Sequence, residues 1–253
     1  MGVVQNEQLT VIKKITNSQT FIVRNGAYRK RGTMKYEVNV GEVKNPKGNV
    51  RGFASVVFGN SFKVNNITIL QNREGQMYLS MPHYANSKNA DNKDICHPIT
   101  KDFRQELEDS IIQAFDEYQK TGERKYLVGD KEEQELSFKV SVTPFEREGS
   151  NICGLARIYL DDCFLINNVS LLQGKNGVFI SMPSYKTKQL DEKGKNVYQD
   201  ICFPITKDFR EKLNNVILQG FEQVKEKQQE NIREQTEGGI PNTVVPKQGL
   251  PFR

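Results

Sequence analysis

Pro98-Ile99-Thr100-Lys101-Asp102-Phe103-Arg104 occurs a second time, letter for letter, as Pro204-Ile205-Thr206-Lys207-Asp208-Phe209-Arg210. In both places a cysteine stands two residues before the proline, and Ser-Met-Pro lies upstream at 80–82 and 181–183. Such a run of identities is the mark of an internal duplication, which governs every later reading of the chain. Thr100 is a good N-cap, and Asp102 places negative charge in the first turn, where it suits the helix dipole. Phe103, Leu107, Ile111, Phe115 and Tyr118 then advance by four, four, four and three, one apolar stripe on a helix that Gly122 ends.

Upstream of each helix the period changes from helical to alternating. Val38, Val40 and Val43 predict a short strand, and the cluster Asn45-Pro46-Lys47-Gly48-Asn49 a turn. Further strands are expected at 53–58, 62–70 and 77–81, the last ended by Pro82, and Ile95-Cys96-His97 precedes the repeated heptapeptide. The second copy follows at an offset of 102: Val140 and Val142 fall on Val38 and Val40, Gly154 on Gly52, Phe164 on Phe62, and Asn167-Asn168 on Asn65-Asn66. Its helix carries Phe209, Leu213, Ile217, Phe221 and Val224. Each copy therefore reads as four or five antiparallel strands whose apolar face is covered by one helix. The chain divides into an arm (1–35), a first unit (36–120), a joining stretch (121–135), a second unit (136–226) and a polar tail (227–253), into which the second helix can run and in which Gly238-Gly239 and three prolines argue for disorder beyond. In the arm, Asn25-Gly26 is the pair that a two-residue hairpin turn prefers.

The formal net charge of +5 is unevenly spread. The arm holds seven Lys/Arg against one acid, whereas the first unit holds ten against eleven and the second twelve against eleven. The basic arm, with Arg29, Lys30 and Arg31 at its centre, has the electrostatic character of a polyanion contact. No run approaches the roughly eighteen apolar residues of a membrane span, and the N-terminus lacks the apolar segment of a secretory signal, so a cytoplasmic protein is expected. The four cysteines (Cys96, Cys153, Cys163, Cys202) include no CxxC pair and read as small buried hydrophobes kept reduced, not as zinc ligands.

Catalysis is hard to build from this set. His97 is one of only two histidines and is replaced by Phe203 in the other copy, so the fold needs its shape, not a proton carrier. Asp161-Asp162 falls on Gly59-Asn60, and a tight turn accounts for both spellings. No nucleophile elbow, zinc-protease motif or phosphate loop occurs. The loop after the second Ser-Met-Pro is richer: Tyr185, Lys186, Lys188, Lys193 and Lys195 offer cations for phosphates and a ring for a base. The first copy has a shorter version with Tyr84, Lys88 and Lys93. Lys101 and Arg104, matched by Lys207 and Arg210, place cations at helix starts. The dipole disfavours them there, whereas a bound anion would use them.

These stretches carry a resemblance. Cys153-Gly154-Leu155-Ala156, Gly174-Lys175-Asn176-Gly177, Phe179-Ile180-Ser181-Met182-Pro183-Ser184, Asp200-Ile201, Pro204-Ile205 and Arg210-Glu211-Lys212 resemble the SpoVG (stage V sporulation protein G, septation regulator) family. So does Asp94-Ile95-Cys96-His97-Pro98-Ile99 in the first copy. The resemblance covers about 36–118 and 138–224. It implies an α+β domain that dimerises and acts as a nucleic-acid-binding regulator of sporulation, cell division or virulence genes, with no enzymatic activity or cofactor. The family's basic positions fall on Lys186 and Arg210 in the second copy and on Lys93 and Arg104 in the first. Ala85, Gln199 and Phe203 depart from its pattern. Two copies in one chain can form the family's dimer internally, a pseudo-twofold monomer with DNA or RNA as partner. The alternative is a non-catalytic scaffold in septation or cell division that pairs with a SpoVG-like partner or with itself.

Overall fold

The computed structural model describes residues 10–11, 21–25, 34–84, 93–129, 135–145 and 148–237, with backbone alone for 10–11, 21–25, Lys93 and 234–237. Its first unit opens with β3 (Tyr36–Glu42), preceded in the arm by β1 (Thr10–Val11) and β2 (Phe21–Asn25). Alternation in β3 buries Tyr36, Val38 and Val40 on one face. β4 (Val50–Phe58), β5 (Phe62–Gln71) and β6 (Met77–Ser80) follow in an antiparallel meander. The β4–β5 turn holds Gly59 and Asn60 at φ 51° and 52°. The matching turn of the second unit holds Asp161 and Asp162 at 43° and 56°. Two successive left-handed residues make the primed hairpin turn that suits strand twist, which Gly, Asn and Asp tolerate best. The aspartate pair is therefore a turn, and the Asp161 carboxylate accepts from the Ser137 N–H at 3.1 Å.

Next come a small ribbon, β7 (His83–Tyr84) with β8 (Lys93–Asp94), then β9 (Cys96–Pro98) and α1 (Lys101–Thr121). Thr100 caps α1 by accepting from the Phe103 N–H. Gly122 closes it in the left-handed conformation, with its N–H bonded to the Tyr118 carbonyl. Phe103, Leu107, Ile111 and Phe115 are buried as the stripe requires, joined by Ala114. After β10 (Lys125–Val128) the second unit repeats the plan: β11 (Phe138–Pro144), β12 (Ile152–Leu160), β13 (Phe164–Gly174), β14 (Gly177–Ser181), β15 (Ser184–Leu190), β16 (Asn196–Asp200), β17 (Cys202–Pro204) and α2 (Lys207–Glu237). α2 runs on through 227–237, up to the Gly238-Gly239 pair that was expected to break it.

The two sheets are completed by exchange. β9, from the first unit, pairs with β13 of the second (Cys96↔Ile166, His97↔Leu165, Pro98↔Phe164). β17, from the second, pairs with β5 of the first (Cys202↔Val64, Phe203↔Lys63, Pro204↔Phe62). The leading strands cross as well. β2 in the arm pairs with β11 (Asn25↔Phe138, Val23↔Val140), and β10 in the joining stretch pairs with β3 (Val128↔Tyr36, Tyr126↔Val38). The resulting orders are β1-β2-β11-β12-β13-β14 with β9 on β13, and β10-β3-β4-β5-β17 with β6 on β5. Of the hairpin expected about Asn25-Gly26, Gly26 and the residues after it to 33 lie outside the described residues. β2 has β1 on one side, through Arg24 and Val23, and β11 on the other.

Asn65-Asn66 and Asn167-Asn168 receive the exchanged strands. Asn66 and Asn168 adopt φ 62° and 58°, a conformation asparagine reaches at small cost. The neighbouring Asn65 N–H donates to the Ile201 carbonyl at 2.7 Å, and Asn167 N–H to Ile95 at 2.8 Å. One continuous core runs through both units. Phe58 and Phe164 meet across them with ring centroids 4.9 Å apart, and Phe209 at the head of α2 touches Phe62 of the first unit and Phe138 of the second. The fold is α+β, two tandem sheet-and-helix units forming an internal pseudo-dimer.

Candidate nucleic-acid interface

β15 and β16 form a two-stranded ribbon of their own, registered Ser184↔Asp200, Tyr185↔Gln199 and Lys186↔Tyr198, with an irregularity before Leu190↔Asn196. Within 184–200 only Ser184, Thr187 and Val197 are partly covered; the other side chains are exposed. The ribbon holds its own shape. Thr187 donates to the Val197 carbonyl at 3.0 Å, Tyr185 donates to Gln199 Oε1 at 2.7 Å, and the Asp191 carboxylate accepts from the N–H groups of Lys193 (2.9 Å) and Lys195 (2.7 Å). Asp191 is therefore engaged in the turn. Lys186, Lys188, Lys193 and Lys195 have no carboxylate partner among the described residues. Lys186 lies beside Tyr198, whose ring is 61% exposed, so a cation and an aromatic face are presented together.

At the helix starts each arginine makes a local contact of its own. Arg104 Nη2 donates to the Pro98 carbonyl at 2.8 Å, and Arg210 Nη2 to the Pro204 carbonyl at 2.7 Å. Each arginine spends one hydrogen on the turn into its helix, which explains why it recurs in the heptapeptide; the rest of each side chain is exposed. Arg210 also reaches the base of the ribbon. Burial pushes the Asp200 carboxyl up from its ordinary range, and the nearby Arg210 charge opposes that rise. Lys207 makes an exposed contact with Glu211 at 3.7 Å, a pair of little energetic weight, and Lys101 is exposed.

The structure thus gathers Tyr185, Lys186, Lys188, Lys193 and Lys195 on one projecting ribbon with Arg210 at its foot. In the first unit it shows β7 and β8 as the shorter equivalent, with Tyr84 exposed opposite Lys93. Arg29, Lys30, Arg31 and Lys88 lie outside the described residues, and of Lys93 the backbone alone is described. Tyr198 and Leu190, 61% and 62% exposed, belong to the ribbon but were not singled out in the sequence. The strand-favouring pair Val197-Tyr198 was the signal for Tyr198. It becomes decisive only when the strand facing it is known.

His97 occupies the exchanged strand β9, its Nδ1 buried and 3.8 Å from Asp94 Oδ2. Phe203 stands at the same place in β17. The imidazole fills a packing position between units, consistent with its exchange for phenyl in the other copy.

Comparison with known proteins gives the same duplication. The SpoVG family model matches twice, over residues 34–117 and 137–223. A septation protein SpoVG of Treponema denticola is 35% identical over 74 residues, 29% of this chain and 73% of that protein. One from Borrelia hermsii is 37% identical over 73 residues, covering 29% and 70%. One from Thermoanaerobacter sp. (strain X514) is 33% identical over 89 residues, covering 35% and 89%. Each relative is matched over a stretch that a single repeat can hold, and the family model claims both repeats. The chain belongs to the SpoVG family, as a tandem member that carries two family units in one polypeptide.

Proposed function

We propose that this chain is a non-enzymatic regulatory protein that binds nucleic acid through the β15–β16 ribbon, with Arg210 at its base and the basic arm adding charge. The observation that supports this reading is the ribbon itself, in which four lysines without carboxylate partners among the described residues stand beside exposed Tyr185 and Tyr198. A lysine-bearing antiparallel ribbon can follow a phosphate backbone or lie in a major groove, and its rings can stack on unpaired bases. Among the described residues no helix is long and apolar enough to cross a membrane. The reading places the protein in the cytoplasm, where its polyanionic partner would be.

Fluorescence anisotropy with labelled duplex DNA, single-stranded DNA and RNA across a salt series tests this. The intact protein is compared with a variant in which Lys186, Lys188, Lys193 and Lys195 are alanine. On duplex DNA the expected slope is roughly −0.9 in log K per log salt for each phosphate neutralised, and the quadruple variant should lose several of those units. Absence of binding by the intact protein at low salt would sink the proposal. The second reading is a protein-interaction scaffold in septation. The exposure of Leu190 and the relatives' name favour it, and a salt-insensitive protein partner would be its signature.

A further inference from the structure

The turn before the second long strand is fastened alike in both units. Val43 N–H donates to the Arg51 carbonyl and Phe145 N–H to the Cys153 carbonyl; Gln71 N–H donates to Asn49 and Gln173 N–H to Asn151. At this offset of 102 the side chains can be compared position by position. In the first unit Arg51 lies along the groove: its Nε donates to Gln71 Oε1 at 2.8 Å and its Nη1 to the Gly48 carbonyl at 2.9 Å. In the second unit Cys153 takes that place, and its thiol turns instead to the Leu171 carbonyl at 3.4 Å. A cavity of about 360 Å³ opens there, with Phe145, Glu148, Ser150, Cys153 and Gln173 in its wall.

We propose that this cavity binds a guanidinium group brought by another molecule, in the place of the arginine that the second unit lacks. Gln173 keeps the amide acceptor of Gln71, and among the described residues its Oε1 receives no hydrogen bond. Glu148 stands at the position of Pro46, which adds a carboxylate, and it has no basic partner among the described residues. Phe145 stands at the position of Val43 and adds a ring on which a planar cation can lie. A guanidinium uses all of these at once, because its rigid fork donates to several oxygens while its face stacks on the ring. An ammonium is a compact point charge that matches neither the fork nor the face.

The test follows backbone amide shifts of the intact, nitrogen-15-labelled protein by NMR at fixed ionic strength. The probes are agmatine, for a small-molecule guanidine, acetylarginine amide, for the arginine of a peptide, and acetyllysine amide as the control. The expected result is a saturable shift at Asn151, Cys153 and Gln173 with either guanidine, and none at Arg51 or Gln71, where the groove is already filled. The guanidine that saturates at the lower concentration names the source. Glu148→Gln should weaken binding by roughly threefold or more. Cys153→Arg should fill the site from within and abolish the shifts. The proposal is overturned if neither guanidine gives a saturable shift, if the lysine probe binds equally well, or if Cys153→Arg binds like the parent. Arg147, beside Glu148 in sequence, lies outside the described residues. Binding by Arg147→Ala and not by the parent would assign the site to the chain's own arginine and so overturn an external ligand.

Discussion

Gly52 stands where no side chain fits: a Cβ there would lie 2.6 Å from the Gly41 carbonyl oxygen and 2.6 Å from the Phe115 ring. At its counterpart Gly154 the nearest atoms to such a Cβ are those of the Phe221 ring, at 2.9 Å, followed by Leu171 Cβ at 3.5 Å. Backbone yields less readily than a ring, so Gly52→Ala should destabilise by roughly 2 kcal/mol and Gly154→Ala by less, measured by urea unfolding. Tyr36 and Cys163 contribute to the alkaline side of the stability profile, together with Tyr84, Cys96 and Cys153, whose protons are also held more tightly in the fold. Burial pushes the Cys163 thiol up to about 12, and burial holds the Tyr36 phenol well above its usual range while its hydroxyl bonds Ser110 at 3.0 Å. A group whose proton is held more tightly when folded stabilises the fold fully below its unfolded pKa and loses that contribution as pH rises toward the folded value. Stability should therefore decline from about pH 9, where unfolded thiols ionise, and more steeply above about pH 10, where tyrosine joins. The slope for each group is at most about 1.4 kcal/mol per pH unit. Tyr36→Phe should reduce the steeper part in a pH series of denaturant midpoints, leaving the smaller share of Tyr84. At this scale the duplicated Asn65-Asn66 and Asn167-Asn168 pairs were visible in the alignment, but their purpose was not. The carbonyls they hold, on Ile201 and Ile95, belong to the other repeat.

The strands and helices divide into those that build the core and those that stand away from it. The ribbon β15–β16 makes its own hydrogen bonds, so its four-lysine variant should keep the parent's unfolding free energy to within about 0.5 kcal/mol while altering nucleic-acid binding. That pairing of results separates a binding surface from a structural loop. α2 is different, because Phe209 at its head packs on Phe62 and Phe138, one from each unit. Phe209→Ala should cost about 3–5 kcal/mol and lower the midpoint for the whole chain in one cooperative step, seen by calorimetry. Two independent transitions would contradict a shared core. The helices were legible from sequence because a four-residue stripe and a capping threonine are local signals. The ribbon was legible only as a lysine-rich loop, since β15 and β16 alternate few apolar residues and owe their form to each other.

Taken whole, the molecule is a dimer written as one chain, in which four short strands cross between the halves. A protease site inserted within 130–134 and then cut should leave the two fragments eluting as one particle by size exclusion, separating only in denaturant. The physical reason is that each half lacks strands that the other supplies, so parting exposes sheet edges and the Phe58–Phe164 contact together.

Local chemistry by itself determined the duplication, the helices with their caps and stripes, the two left-handed turns and the candidate lysines, because each depends on residues near one another in sequence. Only the tertiary structure decided which strand belongs to which sheet. Three-residue strands such as β9 and β17 carry too few side chains to encode a partner, and their pairing is set by the core that both repeats bury in common. Arg104 and Arg210, whose place at the helix starts was plain in the sequence, also give a hydrogen to the carbonyl six residues back, a local contact that only the folded turn displays.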